Sequence, residues 1–197
     1  MVNYRTLNNK AYASIREFSL TRSALILLIA WSFFEASIWF IIPEFILIPL
    51  VIANPDSYKR HFKTILISST AGALIYVMIA SLQPDLVYSL LIKIPFTNAH
   101  MIDRIMILYS KEGIASVLRQ AFSGIPSKVW SYAAVKSGFG ILPYVTLLTI
   151  SRGARMAIVA YASSIIGRKH NTFLRDHICV LASTYILIFF IVLSYLS

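Results

Sequence analysis

The chain has 197 residues, of which 58% are hydrophobic and only 13% charged, and its formal net charge is +10. A soluble domain carries roughly 25% charged residues, so the composition points away from a soluble enzyme and towards an integral membrane protein. The single cysteine, Cys179, excludes an internal disulfide and a multi-cysteine metal site, and the basic residues lie at the ends of apolar segments, where they orient a membrane protein rather than bind nucleic acid.

In chain order, residues 1–22 are a polar, basic lead. Tyr4, Leu7, Ala11, Ile15 and Phe18 recur at helical spacing, with Arg5, Lys10 and Arg16 off that line. This pattern predicts an amphipathic helix on the cytoplasmic surface; a frayed tail is the alternative. No small-x-small cleavage site follows, so the lead does not read as a removable signal. The next apolar stretch, 23–53, is too long for one crossing and too short for two, and Glu35, Pro43, Glu44 and Pro49 interrupt it. It reads as a re-entrant hairpin with its tip near Ile41-Ile42-Pro43-Glu44, against one kinked span followed by an interfacial stretch. Residues 64–82 fit one span. Residues 83–112 read as an outer loop, whose 85–96 stretch is too short to cross and lies at the interface. Residues 113–138 are moderately apolar, broken at Ser123-Gly124-Ile125-Pro126, and carry Arg119, Lys128 and Lys136. They read as a second hairpin, or else as an outer loop with a short amphipathic helix. Two further spans are predicted at 141–166 and 178–196.

Charge placement favours the first hairpin. If residues 23–53 turn back, Arg5, Lys10, Arg16, Arg22, Lys59, Arg60, Lys63, Arg168, Lys169 and Arg175 all share one side, and Lys93, Arg104 and Lys111 face the other. The positive-inside rule makes the richer side cytoplasmic. An offset of 83 residues also pairs Ile42-Pro43 with Ile125-Pro126, Ile67-Ser68 with Ile150-Ser151, Ala71 with Ala154 and Ile75 with Ile158. Each half would then be one hairpin plus one crossing, so the second copy must be inverted, as in transporters built from broken-helix repeats. The predicted fold is therefore an all-α integral membrane protein of two inverted repeats (23–168), with an N-terminal amphipathic helix and a C-terminal transmembrane helix.

Four charges lie inside apolar sequence: Glu35 in WSFFEASIWF, Glu44 in IIPEFILIP, and Arg152 and Arg155 in LLTISRGARMAIVAY. Each costs about 2.5–3.5 kcal/mol at the centre of a lipid-facing helix, or roughly 10–14 kcal/mol for four left unpaired. They must face one another, a polar cavity or a charged ligand. The i, i+3 spacing puts Arg152 and Arg155 on one helix face, where they would make a clamp for phosphate; Gly153 between them admits a close backbone neighbour. Glu35 and Glu44 are the candidate counter-ions or proton carriers, and Lys128 is either a further phosphate contact or a snorkelling lysine. Pro43 and Pro126 mark the hairpin tips. His61, His100, His170 and His177 fall in or beside loops and read as solvated. No catalytic or cofactor motif and no metal-ligand spacing is present.

The run FFEASIWFIIPEFILIPLVIANPDSYKRH resembles the first hairpin of the DedA superfamily (the SNARE-associated or VTT domain), in its YqaA-like branch. The run FSGIPSKVWSYAAVKSGFGILPYVTLLTISRGARMAIVAY resembles that branch's second half, with its I-P-x-K tip and R-G-A-R helix. The resemblance covers about residues 24–168. It implies two opposed re-entrant hairpins, a bacterial cytoplasmic (inner) membrane location, and movement of lipids such as undecaprenyl phosphate or phospholipids. It also implies functional roles for Glu35, Glu44, Arg152 and Arg155. The first hairpin departs from the pattern, with Ile41-Ile42-Pro43 where many relatives have more prolines. The expected partners are membrane lipids with phosphate-bearing headgroups and no nucleic acid; a homo-oligomer is compatible with the sequence. A proton- or cation-coupled transporter and a non-transporting scaffold are the competing expectations.

Overall fold

A computed structural model describes residues 4–38, 41–95 and 97–195. Trp39 and Phe40 of the first expected hairpin, Met1–Asn3, Phe96, Leu196 and Ser197 lie outside the described residues. Among the described residues every regular element is helical. In order they are α1 (Tyr4–Leu20), α2 (Arg22–Ser37), α3 (Glu44–Ala53), a 3₁₀ turn (Pro55–Ser57), α4 (Tyr58–Leu82), α5 (Pro84–Leu91), α6 (Ala99–Glu112), a 3₁₀ arm (Ile114–Phe122), α7 (Ser127–Lys136), α8 (Ile141–Lys169) and α9 (Asn171–Tyr195).

Both interrupted segments are helix–break–helix units. α2 and α3 are 16 and 10 residues long, or about 24 and 15 Å at 1.5 Å per residue. Pro43 and Pro126 occupy the same local position, each capping the second arm of its unit, α3 and α7 respectively. Proline suits that place because a helix leaves its first N–H groups unpaired in any case. The first arm of the second unit is a nine-residue 3₁₀ helix, a conformation that seldom runs beyond three or four residues. Gly113 and Gly124 bound it, both with φ of 70°, a backbone that side-chain-bearing residues rarely adopt.

Among the described residues, one continuous helical stretch, Pro55–Leu82, is long and apolar enough to cross a membrane; α1 and α2, bent by 75°, add a second if read as one broken span. α8 and α9 have spanning length at 29 and 25 residues, but Arg152, Arg155, Arg168 and Lys169 dilute the apolar character of α8. Of the three crossings expected from the sequence, 64–82 falls within the Pro55–Leu82 stretch. α6 was not expected within the outer loop. Asn98 starts it, its Oδ1 accepting from the Met101 N–H at 2.9 Å, and buried Ile102, Ile105 and Tyr109 form its inner stripe.

Thr21 sets the elbow between α1 and α2. Its hydroxyl donates to the Phe18 carbonyl at 2.7 Å and accepts from the Ala24 N–H at 3.2 Å, ending one helix and capping the next. His61 secures this elbow to α4 and is not solvated as expected: it is fully buried, with Nε2 3.1 Å from the Ser19 carbonyl and Nδ1 2.9 Å from Ser57 Oγ. α1 in turn docks on α3 and α9 through Tyr12, Ala53, Leu174 and Ile178. The Asn8 amide accepts from the Cys179 N–H at 3.1 Å and donates to the Asp176 carbonyl.

Small residues bring the long helices together. A Cβ built on Gly72 of α4 would lie 2.4 Å from the Phe33 carbonyl oxygen of α2, whereas one on Gly153 of α8 would meet the Leu66 Cδ1 methyl at 3.2 Å. The neighbour of Gly153 is therefore a side chain and not the backbone expected from the sequence. Gly72→Ala should lower the thermal midpoint in detergent, because overpacking against a fixed carbonyl costs about 1–3 kcal/mol. Gly153→Ala should change it little, since the Leu66 methyl can turn aside.

Candidate functional site

The four charges that stand out in the sequence meet at one place, where the breaks of both helix–break–helix units meet the middle of α8. Glu35 lies in the last turn of α2, Glu44 is the first residue of α3, and Arg152 and Arg155 sit one turn apart on α8. Arg152 pairs with Glu35 through Nη2 and Oε2 and donates from Nη1 to the Ser127 hydroxyl at 2.6 Å. Arg155 donates from Nε (2.9 Å) and Nη2 (2.8 Å) to the same oxygen, Oε1 of Glu44. Lys128, in the first turn of α7, donates to the main-chain carbonyl of Glu35.

Local structure explains much of this pairing. Glu44 stands at the start of α3, where the helix dipole favours a negative charge. Glu35 stands at the unfavourable end of α2, and two cations compensate it. One is Arg152 on its carboxylate; the other is Lys128 on its carbonyl, one of the last four of the helix, which lack intrahelical donors. Ser127 follows Pro126 directly, so the same turn that begins α7 presents its hydroxyl to Arg152.

Burial is deep but uneven. Glu35, Glu44, Lys128 and Arg152 are all buried, while the Arg155 side chain keeps 25% of its surface exposed. Lys128 is therefore not snorkelling. If all five groups are ionised, the cluster carries one net positive charge. Hydrogen bonding is incomplete at its centre. Glu44 Oε2 and Arg152 Nε are both buried without a hydrogen-bond partner among the described residues, although such groups are rarely left unpaired. One is an acceptor and the other a donor.

The helices that carry this cluster are braced by two related contacts. Thr70 of α4 and Thr149 of α8 bond through their hydroxyls at 3.1 Å, and Leu66 of α4 packs on Gly153 of α8. The 83-residue offset pairs Leu66 with Thr149 and Thr70 with Gly153, so each contact is the exchanged copy of the other. Ser68 and Ser151, also paired by that offset, play matching parts. Ser68 donates to the Ile29 carbonyl of α2 at 2.6 Å, and Ser151 to the Leu118 carbonyl of the 3₁₀ arm at 3.0 Å. Each ties a long helix to the first arm of its own unit.

Behind α7 a tyrosine cluster packs the interior. Tyr109 of α6 donates to the Trp130 carbonyl at 3.2 Å, and Tyr144 lies 3.0 Å from the Ser131 hydroxyl. Burial pushes the Tyr109 phenol above its ordinary range, which keeps it a neutral donor. Among the described residues no group of three or more His, Cys, Asp or Glu side chains could hold a metal ion.

No family model matches the chain. It is similar to a protein from Haemophilus influenzae described as uncharacterized, with 29% identity over 167 residues that cover 85% of this chain and 86% of the other. No solved structure matches.

Removing one member of a buried ion pair strands the other, at about 3–5 kcal/mol. Glu35→Ala should therefore lower the thermal midpoint more than Glu44→Ala, because Arg155 can reach solvent and Arg152 cannot. Thermal unfolding of both variants in detergent checks the order.

Proposed function

We propose that this protein is a membrane lipid transporter, a translocase or scramblase acting on a lipid with a phosphate-bearing headgroup. The observation that carries the reading is the unsatisfied pair at the centre of the charge cluster. Arg152 Nε–H and Glu44 Oε2 are buried without a hydrogen-bond partner among the described residues, one a donor and the other an acceptor. An oxyanion would supply the first need and a proton the second. The headgroup displaces the carboxylates from Arg152 and Arg155, and Glu44 takes a proton as its guanidinium partner is drawn away. Glu35 holds Arg152 in place between cycles, and Lys128 adds positive charge beside the same point. The acyl chains stay in the bilayer.

Several features support the membrane setting. The Pro55–Leu82 helix has spanning length and apolarity, and large apolar residues such as Ile67 and Leu142 are more than two-thirds exposed, a surface that water does not favour over wide areas. The exchanged α4–α8 contacts and the matching prolines support two inverted repeats, each a re-entrant hairpin plus a crossing helix. The sequence resemblance to the DedA superfamily agrees with this arrangement. On this reading the N-terminus faces the cytoplasm, and the location is the bacterial inner membrane.

The test is reconstitution of the full chain in liposomes that carry labelled phospholipid in one leaflet. Transbilayer movement should exceed that of empty vesicles and fall at least about tenfold in Arg155→Ala, which removes charge-assisted hydrogen bonds at a partly exposed position where folding survives. Movement no faster than in empty vesicles would reject the proposal. Flux that follows a proton or sodium gradient and ignores lipid would select a cation-coupled exchanger. The closed Glu44–Arg155 pair also fits a non-transporting scaffold. In that case the exchange Glu44→Arg with Arg155→Glu should preserve function, whereas a phosphate clamp would lose it.

A further inference from the structure

Beside the second helix–break–helix unit, α6, the 3₁₀ arm and the start of α7 border an open cavity of about 690 Å³. Its exposed apolar wall includes Ile107, Leu118 and Phe122. Its charged edge is formed by Arg104, Lys111, Glu112 and Arg119. Arg104 and Lys111 lie two helical turns apart on one face of α6, and both are exposed. Neither has an ion pair among the described residues. Glu112 offers one oxygen to Arg119 Nη1 at 2.9 Å. Three cations and one anion leave this edge with an excess of two positive charges.

The charges are unexpected there. Under the topology argued above, this edge lies on the side away from the N-terminus, where the positive-inside rule disfavours lysine and arginine. Of the three basic residues in the 83–112 segment, Arg104 and Lys111 border this single cavity. A ligand with a negative head and an apolar body would account for both the cations and the exposed apolar wall. The cavity also adjoins the central cluster: Ser123 and Ile125, which line it, lead through Pro126 to Ser127, the hydroxyl bound to Arg152.

We propose that this cavity is a docking site for lipids with net-negative, phosphate-bearing headgroups on the non-cytoplasmic side, separate from the Arg152–Arg155 cluster. The head sits among Arg104, Lys111 and Arg119, and the first part of a chain lies on Leu118 and Phe122. Net-negative phospholipids are held in preference to zwitterionic ones, because a zwitterion brings its own cation to an edge already two charges positive. This inference rests on the lipid-transport reading, but it concerns binding and is tested without transport.

The experiment is native mass spectrometry of the full chain in detergent, with phosphatidic acid and phosphatidylcholine of identical acyl chains as probes. The wild type should retain phosphatidic acid preferentially. Arg104→Ala with Lys111→Ala should lower that retention about tenfold or more and leave phosphatidylcholine unchanged, while Arg104→Lys with Lys111→Arg should keep it. Equal retention of both lipids by the wild type, or undiminished phosphatidic acid in the double alanine variant, would overturn the proposal. So would displacement of phosphatidic acid by equimolar inorganic phosphate, which would make the site one for the free anion. The two readings separate cleanly. Selective retention lost in the variant upholds the docking site even if liposomes show no lipid movement, and movement with unchanged retention upholds transport while rejecting the site.

Discussion

A charge removed from water persists only where another charge or a set of oriented dipoles replaces its hydration. In this protein that requirement falls on five side chains at the middle of α8, and much of the surrounding structure serves it. The Glu35–Arg152 pair joins the end of α2 to α8, and the Glu44–Arg155 pair joins the start of α3 to the same helix. Ser127 and Lys128 bring in α7. Three elements from both interrupted units are thus fastened to α8 at one point, and none can withdraw without stranding a buried charge. The same arrangement leaves Glu44 Oε2 and Arg152 Nε short of partners.

Close packing makes the convergence possible. Gly72 lets α4 lie against the backbone of α2, and Gly167 does the same for α8, where an added Cβ would fall 2.5 Å from the Ile52 carbonyl oxygen at the end of α3. The paired contacts between α4 and α8, threonine on threonine and leucine on glycine, hold the two halves in one register. Arg152 and Arg155 therefore face the breaks between the short helices. The elbow at Thr21 and the buried His61 fix where α2 enters this assembly, which sets the depth that Glu35 reaches.

The sequence made the ionisable residues legible because they are costly in apolar surroundings. Glu35, Glu44, Arg152 and Arg155 stand out by context alone, and the breaks at Pro43 and Pro126 locate the turns between short helices. The pairing was not legible. Which carboxylate meets which arginine depends on how the arms fold back, and hydropathy does not encode that. Ser127 gave no signal, since a hydroxyl after a proline reads as ordinary turn chemistry. His61 was lost in the basic run Lys59-Arg60-His61, although only its neighbours are exposed. α6 was missed because its amphipathic stripe is weaker than the apolar runs on either side, even though Asn98 and Gly113 mark its ends.

The central claim is that the cluster on α8 is a phosphate site held closed by its own carboxylates. An experimental density map of the protein in lipid nanodiscs rich in phosphatidic acid would test it most directly. The expected result is headgroup density between the ends of α2, α3 and α7, with Arg155 turned from Glu44 towards it. Both ion pairs closed as they are here, with no density beside them at saturating lipid, would contradict the claim and leave the charges a structural role alone.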